Sequence, residues 1–262
     1  MLYRMDTVAL ALVLCLVVGG TVAVGTVIGR RLRDRPNVRH EPVGVVQGAL
    51  LGLVGLLLAF GLTMAVGRYD TRRALVVHEA DTIGTTFLRA QLLAEPTRSD
   101  SLDRLVRYAD AAIDVADHVP DSAEFVAASA RMEELQRELW QLAGEAIGAD
   151  PVGSAPRLYV ETLNEMIDAH ADRLGSLRNR VPPTVLALQL FGSAVALGAL
   201  ALYLALLGRG LLTSLVATVV VLLILLISYD LDRPNRGLIT VPDRPLAETR
   251  AAMEQPPAAT GP

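Results

Sequence analysis

The chain has 262 residues, of which 52% are hydrophobic and only 4% aromatic, and its formal net charge at pH 7 is −4. The hydrophobic residues are mainly Leu, Val and Ala, and they are concentrated in long blocks, which is not typical of a soluble domain. No part of the chain shows the basic groove that nucleic acid would require, so we expect no nucleic-acid partner. Cys15 is the only cysteine, which excludes an internal disulfide and a cysteine metal cluster.

Two apolar blocks predict a first transmembrane hairpin within residues 1–67. The first block, residues 7–28, carries no charge and is long enough for a helix to cross a hydrocarbon core of about 30 Å. Its length, and the arginines that follow it, favour a retained membrane span over a cleaved signal peptide. The second block, residues 43–67, contains glycines at four-residue spacing, which predicts a face that packs closely against another helix. These glycines are Gly44, Gly48 and Gly52.

Residues 182–229 predict a second hairpin. Its start is marked by Pro182 and Pro183, since the residue before a proline is biased away from the helical conformation. The spans at 184–207 and 211–229 are joined by a turn so short that the two helices must be antiparallel neighbours. None of the four spans contains Asp, Glu, Arg, Lys or His, which argues against a proton-coupled transporter.

Between the hairpins, residues 68–181 predict an acidic, helical extramembrane region. It contains 20 acidic residues and 13 arginines, a net charge of −7. Apolar residues recur there at three- and four-residue steps, as on amphipathic helices that form a bundle. Trp140 is expected in the core or at an interface. The four histidines, including His170, are scattered and are therefore predicted to lie on the surface. The remainder, residues 230–262, is polar and is predicted to be disordered after about residue 242.

Sequence signatures of enzymes are missing. The chain has no P-loop, no dinucleotide-binding fingerprint, no His-Glu-x-x-His and no Gly-x-Ser-x-Gly. We therefore expect no enzymatic activity, no cofactor and no bound metal. The predicted fold class is all-α: a polytopic membrane protein with four transmembrane helices in two hairpins, and a helical extramembrane region between the second and third.

The second span continues into charged sequence without a helix breaker. Phe60 and Met64 lie near its end, and Arg68, Arg72 and Arg73 follow. Interfacial arginines commonly extend toward lipid phosphates and form ion pairs along a helix face. The same arginines could instead line a vestibule that concentrates anions at the mouth of a pore. Both interpretations stay open on the residues alone.

A second charged cluster follows the last span. Asp230 and Asp232 lie at a helix C-terminus, where the helix dipole disfavours negative charge, so they require a partner such as Arg68, Arg72 or Arg73. Two carboxylates are few for calcium, which takes six to eight oxygen ligands. We therefore predict a structural ion-pair latch and not a metal site. Its candidate members are Asp70, Glu79, Arg89, Asp230, Asp232 and Arg233.

These two clusters resemble the bestrophin-like domain family of bacterial integral membrane proteins. The matching residues are Leu-Ala-Phe and Met-Ala of the second span, then Arg68-Tyr69-Asp70-x-Arg72-Arg73, Glu79-Ala80-x-x-Ile83-Gly84-Thr85-x-x-Leu88-Arg89 and Asp230-Leu231-Asp232-Arg233-Pro234-x-x-Gly237. The resemblance covers residues 43–245. It implies four spans and, as in the pentameric bestrophins, an anion pore lined by the second helix. The chain departs from animal bestrophins in being shorter and in having a glycine-rich second helix.

The leading functional hypothesis is an oligomeric anion channel, a homo-oligomer in the lipid bilayer that passes small anions. The alternative is a non-conducting membrane scaffold or sensor whose helical middle region binds a partner protein. We expect a multi-pass protein of the plasma membrane with both termini and the middle region in the cytoplasm, because more arginines flank the spans on that side. The opposite side holds Arg30, Arg31, Arg33, Arg35, Arg39 and Arg209.

Overall fold

The computed structural model describes residues 6–33, 40–208, 210–235 and 237–257, and no side chain in residues 40–43. Arg35, Arg39 and Arg209, on which the predicted orientation partly rests, lie outside this range. The described residues contain helices and no strand, which confirms the all-α class. In chain order the helices are α1 (Thr7–Leu32), α2 (His40–Ala90), α3 (Thr97–Asp117), α4 (Ala123–Ala149), α5 (Ser154–Arg178), α6 (Pro183–Leu206), α7 (Leu211–Leu231) and α8 (Arg244–Ala252).

Four segments of the described chain are long and apolar enough to cross a membrane, and they include α1, α2, α6 and α7. Each predicted span overlaps one of these helices, so the prediction of four transmembrane helices is confirmed. In α2 the uncharged apolar sequence ends at Gly67, and the rest of the helix, up to Ala90, carries charged side chains. Pro183 begins α6 because a first-turn proline loses no intrahelical hydrogen bond.

The chain forms two compact units, and the first comprises Met1–Tyr69 and Arg180–Ile239. Its core contains buried Leu14, Leu58, Leu197 and Leu225, one from each of its four helices. The Tyr229 hydroxyl donates a hydrogen bond of 2.7 Å to the Leu186 carbonyl, so the polar atom of this buried ring is satisfied.

The backbones of α1 and α6 approach each other closely in the first unit. A Cβ atom at Gly25 would overlap the carbonyl oxygen of Gly198, and one at Gly29 would overlap the Leu202 carbonyl. Glycine is therefore required at both positions. Two glycines four residues apart permit such contact, and in lipid it is close packing that drives helices to associate.

The predicted packing glycines of α2 differ in their surroundings. A Cβ atom at Gly44 would lie 2.9 Å from the Tyr203 hydroxyl of α6, whereas Gly48 and Gly52 have open space around them in this chain. Gly44 therefore contacts a neighbouring helix, and a packing role for the other two stays a prediction.

The second unit comprises Asp70–Asn179 and Thr240–Pro262. The end of α2 packs with α3, α4, α5 and α8 around buried Ile83, Leu105, Leu139 and Leu163. Within α3, α4 and α5, apolar residues recur at three- and four-residue steps, which is why a bundle is predictable from the sequence. Trp140 of α4 is about half exposed.

The prediction that the chain is disordered after about residue 242 is wrong, since Arg244–Ala252 form α8. Leu246 and Met253 are seven residues apart and both are buried in the core of the second unit. Arg250 Nε donates to Asp110 Oδ1 at 2.7 Å. The proline-rich composition suggested disorder, but two apolar anchors and one ion pair suffice to dock this short helix. Residues 258–262 lie outside the described range.

Candidate functional site

One face of α2 is apolar and exposed in the single chain. Leu53, Leu56, Phe60 and Met64 follow one another at three- and four-residue steps, so they share this face. Phe60 is 61% exposed and Met64 is 40% exposed. The predicted pore-lining side chains therefore lie outside the core of the first unit.

The three predicted vestibule arginines occupy different positions around α2. Arg68 is half-buried and follows Met64 by four residues, so the two are neighbours on one side of the helix. Arg73 is exposed but lies about 140° around the helix from Phe60, at 3.6 residues per turn. Helical register thus groups Arg68, and not Arg73, with the exposed apolar face.

Arg72 is only 3% exposed. Its Nη2 donates to the Asn179 carbonyl at 3.1 Å, and its Nε lies 3.5 Å from the Ser176 carbonyl. These carbonyls lie at the C-terminal end of α5, where the helix leaves acceptors unsatisfied and its dipole favours a cation. Arg72 therefore stabilises the end of α5.

Glu79 of α2 lies in a buried polar cluster of the second unit. Its side chain is completely buried, and His170 and Arg173 of α5 are each 3% exposed. Glu79 Oε1 lies 2.7 Å from His170 Nδ1, and Arg173 Nη1 donates to Glu79 Oε2. The edge of the Tyr108 ring packs against His170, with centroids 6.3 Å apart. The cluster connects α2, α3 and α5 at the centre of the bundle.

The charges of this cluster compensate one another. Burial raises the pKa of Glu79, but the Arg173 guanidinium and the hydrogen bond to His170 outweigh burial, so the pKa lies below its usual range. An ionised carboxylate only accepts hydrogen bonds, so His170 Nδ1 carries the donated proton. His170 Nε2 has no hydrogen-bond partner among the described residues. Burial, followed by the negative charge of Glu79, raises the pKa of Tyr108.

The prediction that His170 lies on the surface is wrong. It is buried because Glu79, 91 residues earlier in the chain, supplies an acceptor for its ring. The sequence offered one weak signal, since His170 follows Met166 by four residues on the buried stripe of α5. The pairing of Glu79 with His170 and Arg173 is also absent from the predictions, because these partners come from a different helix.

The other latch residues have the following contacts. Arg89 donates to the Leu158 carbonyl at 2.8 Å and pairs with exposed Glu161 at 3.4 Å, while Asp70 is exposed. In the first unit, Arg233 Nη1 lies 3.5 Å from the Thr7 hydroxyl. A single ion-pair latch that includes all six residues stays a prediction.

Asp230 and Asp232 are buried and accept hydrogen bonds from backbone N–H groups. Both oxygens of Asp232 accept from Val181 N, at 2.9 and 3.0 Å, which fixes the chain where it enters α6. Asp230 Oδ2 accepts from Leu238 N and Ile239 N, at 2.8 and 2.9 Å. Gly237 has φ +131°, and a Cβ atom there would overlap Asp230 Oδ1. The two carboxylates therefore organise the backbone at both ends of the second hairpin.

Within the described part of the chain, no group of three or more His, Cys, Asp or Glu side chains is arranged to hold a metal ion. A residue that sequence reasoning missed is Gln189 of α6, which is buried and donates from Nε2 to the Leu57 carbonyl at 3.0 Å. Its amide occupies the space left by Gly61 of α2. The sequence contains a signal for this contact, because an amide within an apolar span predicts a hydrogen-bond partner on a neighbouring helix.

The fold is shared with solved membrane proteins. A variant of a bacterial bestrophin homologue from Klebsiella pneumoniae matches with a TM-score of 0.66 at 13% identity, over 89% of this chain and 99% of that chain. Another crystal structure described as a bacterial bestrophin homologue from Klebsiella pneumoniae gives a TM-score of 0.62 at 13% identity, over 89% and 94%. The crystal structure of a membrane protein variant gives 0.63 at 13% identity, over 92% and 97%. At this identity the likeness shows the fold alone.

No curated protein matches the chain in sequence. The family model described as the Bestrophin-like domain matches residues 11–246, which is most of the chain. Its matched range includes the apolar face of α2, the Glu79 cluster, and Asp230 and Asp232. The protein therefore belongs to the Bestrophin-like domain family.

Proposed function

We propose that this protein is an oligomeric anion channel whose second transmembrane helix lines the pore. The observation that carries the proposal is the exposed apolar face of α2, where Leu53, Leu56, Phe60 and Met64 lie outside the core of the single chain. In a ring of copies this face would surround the central axis. Membership of the family supports the same role, since bestrophins are anion channels.

The side chains along this face of α2 suit a pore that conducts anions. Phe60 and Met64 would form an apolar constriction, which can gate by excluding water. Arg68 lies one turn beyond Met64, about 6 Å along the helix axis at 1.5 Å per residue, and its charge would raise the local anion concentration. Arg72 already donates a hydrogen bond to the Asn179 carbonyl at the end of α5, so we assign the mouth of the pore to Arg68.

The test is halide flux in liposomes that contain the purified protein. Phe60→Ala would widen the constriction and should change the flux rate or the selectivity between anions. Phe191→Ala is the matched control, because Phe191 is 68% exposed on α6, which is not assigned to the pore. Arg68→Glu should reduce flux, whereas Arg137→Glu on the surface of α4 should not. Equal effects of Phe60→Ala and Phe191→Ala would contradict a pore lined by α2.

A second candidate function is a non-conducting scaffold or sensor. The observation that favours it is a groove of about 770 Å³ between α3 and α4, which is lined by five carboxylates and two arginines and therefore carries an excess of negative charge. Such a surface would suit a basic segment of a partner protein. Charge reversal at Glu134 and Glu138 that abolished recovery of a partner from cells, together with absent flux, would favour this function.

A further inference from the structure

A cavity of about 250 Å³ lies at one end of the first unit, where α1 ends and α6 turns into α7. Its lining includes Arg30 and Arg33 from the last turns of α1, Gly208 and Gly210 from the turn, and Ser214 of α7. None of these residues belongs to the face of α2 assigned to the pore. The cavity therefore has no part in the proposed channel and requires its own explanation.

Two guanidinium groups contribute positive charge to this cavity. The Arg33 side chain lies directly over Gly208, where an added Cβ atom would be 2.6 Å from Arg33 Cζ. Gly208 has φ +70°, so glycine there both permits the turn and leaves room for the guanidinium. Within the described ranges, no carboxylate forms an ion pair with Arg30 or Arg33. Both guanidinium groups therefore give this cavity a positively charged lining.

The N-terminus of α7 faces the same cavity. Its N-cap, Gly210, provides no side-chain cap, so the first-turn N–H groups are not satisfied by a capping oxygen. The N-terminal end of a helix carries partial positive charge and binds anions readily. This 21-residue helix therefore adds backbone donors to the two arginines.

Ser214 provides an independent indication of a ligand. It is 4% exposed, lines the cavity, and its Oγ has no hydrogen-bond partner among the described residues. Several hydroxyls of the spans bond to the carbonyl of the preceding turn, as Thr26 does to Val22 and Thr218 to Ser214, at 2.8 and 2.7 Å. Ser193 of α6 is also buried without a partner among the described residues, but it does not line this cavity. An unsatisfied buried hydroxyl is costly, and a bound acceptor would remove that cost.

We propose that this cavity binds a phosphate group, held by Arg30, Arg33, the Ser214 hydroxyl and the N-terminus of α7. Guanidinium groups match phosphate oxygens with two parallel hydrogen bonds, and the hydroxyl and backbone N–H groups are further donors. Exposed Leu211 adjoins the cavity and would contact acyl chains, so an anionic lipid headgroup fits best. Inorganic phosphate shares the same chemistry and is the other source.

The test is native mass spectrometry of the delipidated full-length protein, titrated with phosphatidylglycerol and separately with phosphatidylcholine. Inorganic phosphate is tested in parallel by thermal shift. We expect phosphatidylglycerol to bind more tightly than phosphatidylcholine, and R30Q/R33Q to weaken its binding at least tenfold, since each loses charge-assisted hydrogen bonds. S214A, which removes one oxygen atom and leaves the packing intact, should weaken it by about tenfold or less.

Arg31→Gln is the matched control, because Arg31 is exposed on the same turn of α1 but does not line the cavity. Loss of phosphatidylglycerol binding in R30Q/R33Q and S214A, but not in R31Q, would establish the site with lipid as its source. The same pattern with inorganic phosphate alone would establish the site with a soluble ligand. Equal loss in R31Q, or no loss in S214A, would overturn the proposal, because general interfacial charge would then explain the binding.

Discussion

The carboxylate of Glu79 is completely buried, and two side chains of α5 compensate the cost of burying it. Removing one member of a buried ion pair leaves the other charged without a partner, which costs more than the pair contributes. His170 and Arg173 lie three residues apart on α5, and both bond to Glu79. The second unit therefore requires Glu79, His170 and Arg173 together. The sequence of α2 alone does not predict these partners, because they lie more than 90 residues away along the chain.

We expect Glu79→Gln to destabilise the second unit by about 3–5 kcal/mol, since Arg173 would stay buried without its counter-charge. The melting temperature in detergent should fall by roughly 10 °C for a chain of this size. Glu161→Gln is the matched control, because Glu161, which pairs with Arg89, is mostly exposed, so its loss should change the melting temperature by about 2 °C or less. Equal losses in the two variants would contradict the buried ion pair.

Acid should weaken the contribution of Glu79 to the stability of the second unit. Its folded-state pKa lies below the ordinary value of 4.5, so its stabilising contribution is complete above pH 4.5 and is lost as the pH falls through the folded-state pKa. The difference in melting temperature between wild type and Glu79→Gln should therefore be constant from pH 7 to about pH 5 and should narrow below pH 4.5. A difference that widened in acid would mean that the carboxyl is protonated in the native protein.

At the scale of helices, length and apolar composition were sufficient to predict α1, α2, α6 and α7, because only a helix satisfies its backbone groups in lipid. The same reasoning failed for α8, which is short and polar and is held by Leu246 and Met253. Four-residue spacing selects Gly44, Gly48 and Gly52 of α2 for packing, whereas the close contact between α1 and α6 uses Gly25 and Gly29 of α1. Glycines at four-residue spacing occur in both α1 and α2, so the spacing alone does not show which of these helices packs closely against α6.

Gly25→Ala should separate α1 from α6, because the new methyl group would overlap the Gly198 carbonyl. We expect a loss of about 1–3 kcal/mol, typical of overpacking, which thermal unfolding in detergent would measure. Gly20→Ala on the same helix is the control, since a Cβ atom there meets nothing within 4 Å and alanine favours the helix. A melting temperature unchanged by both substitutions would argue against this contact.

For the whole molecule, four spans and the helical middle region were predictable, and so was the family, because the residues after α2 and α7 match its pattern. The functional residues were less predictable. Arg72 belonged to the sequence cluster at the end of the second span, yet it holds the end of α5, and Asp230 and Asp232 bind backbone N–H groups. Clusters of charge in a sequence indicate important positions without giving their partners, which depend on the fold.

In the proposed channel, copies of this chain form a ring in which the exposed apolar faces of α2 line the central axis. Four mainly apolar spans cannot surround a water-filled path alone, so a channel of this kind requires several subunits. The most direct measurement is the subunit count of the purified protein in mild detergent, by native mass spectrometry. We predict a single closed oligomer, with five copies as in bestrophins, which should disperse when Leu53 and Leu56 of α2 are replaced by arginine. A monomer under conditions that preserve the fold would contradict the proposed channel.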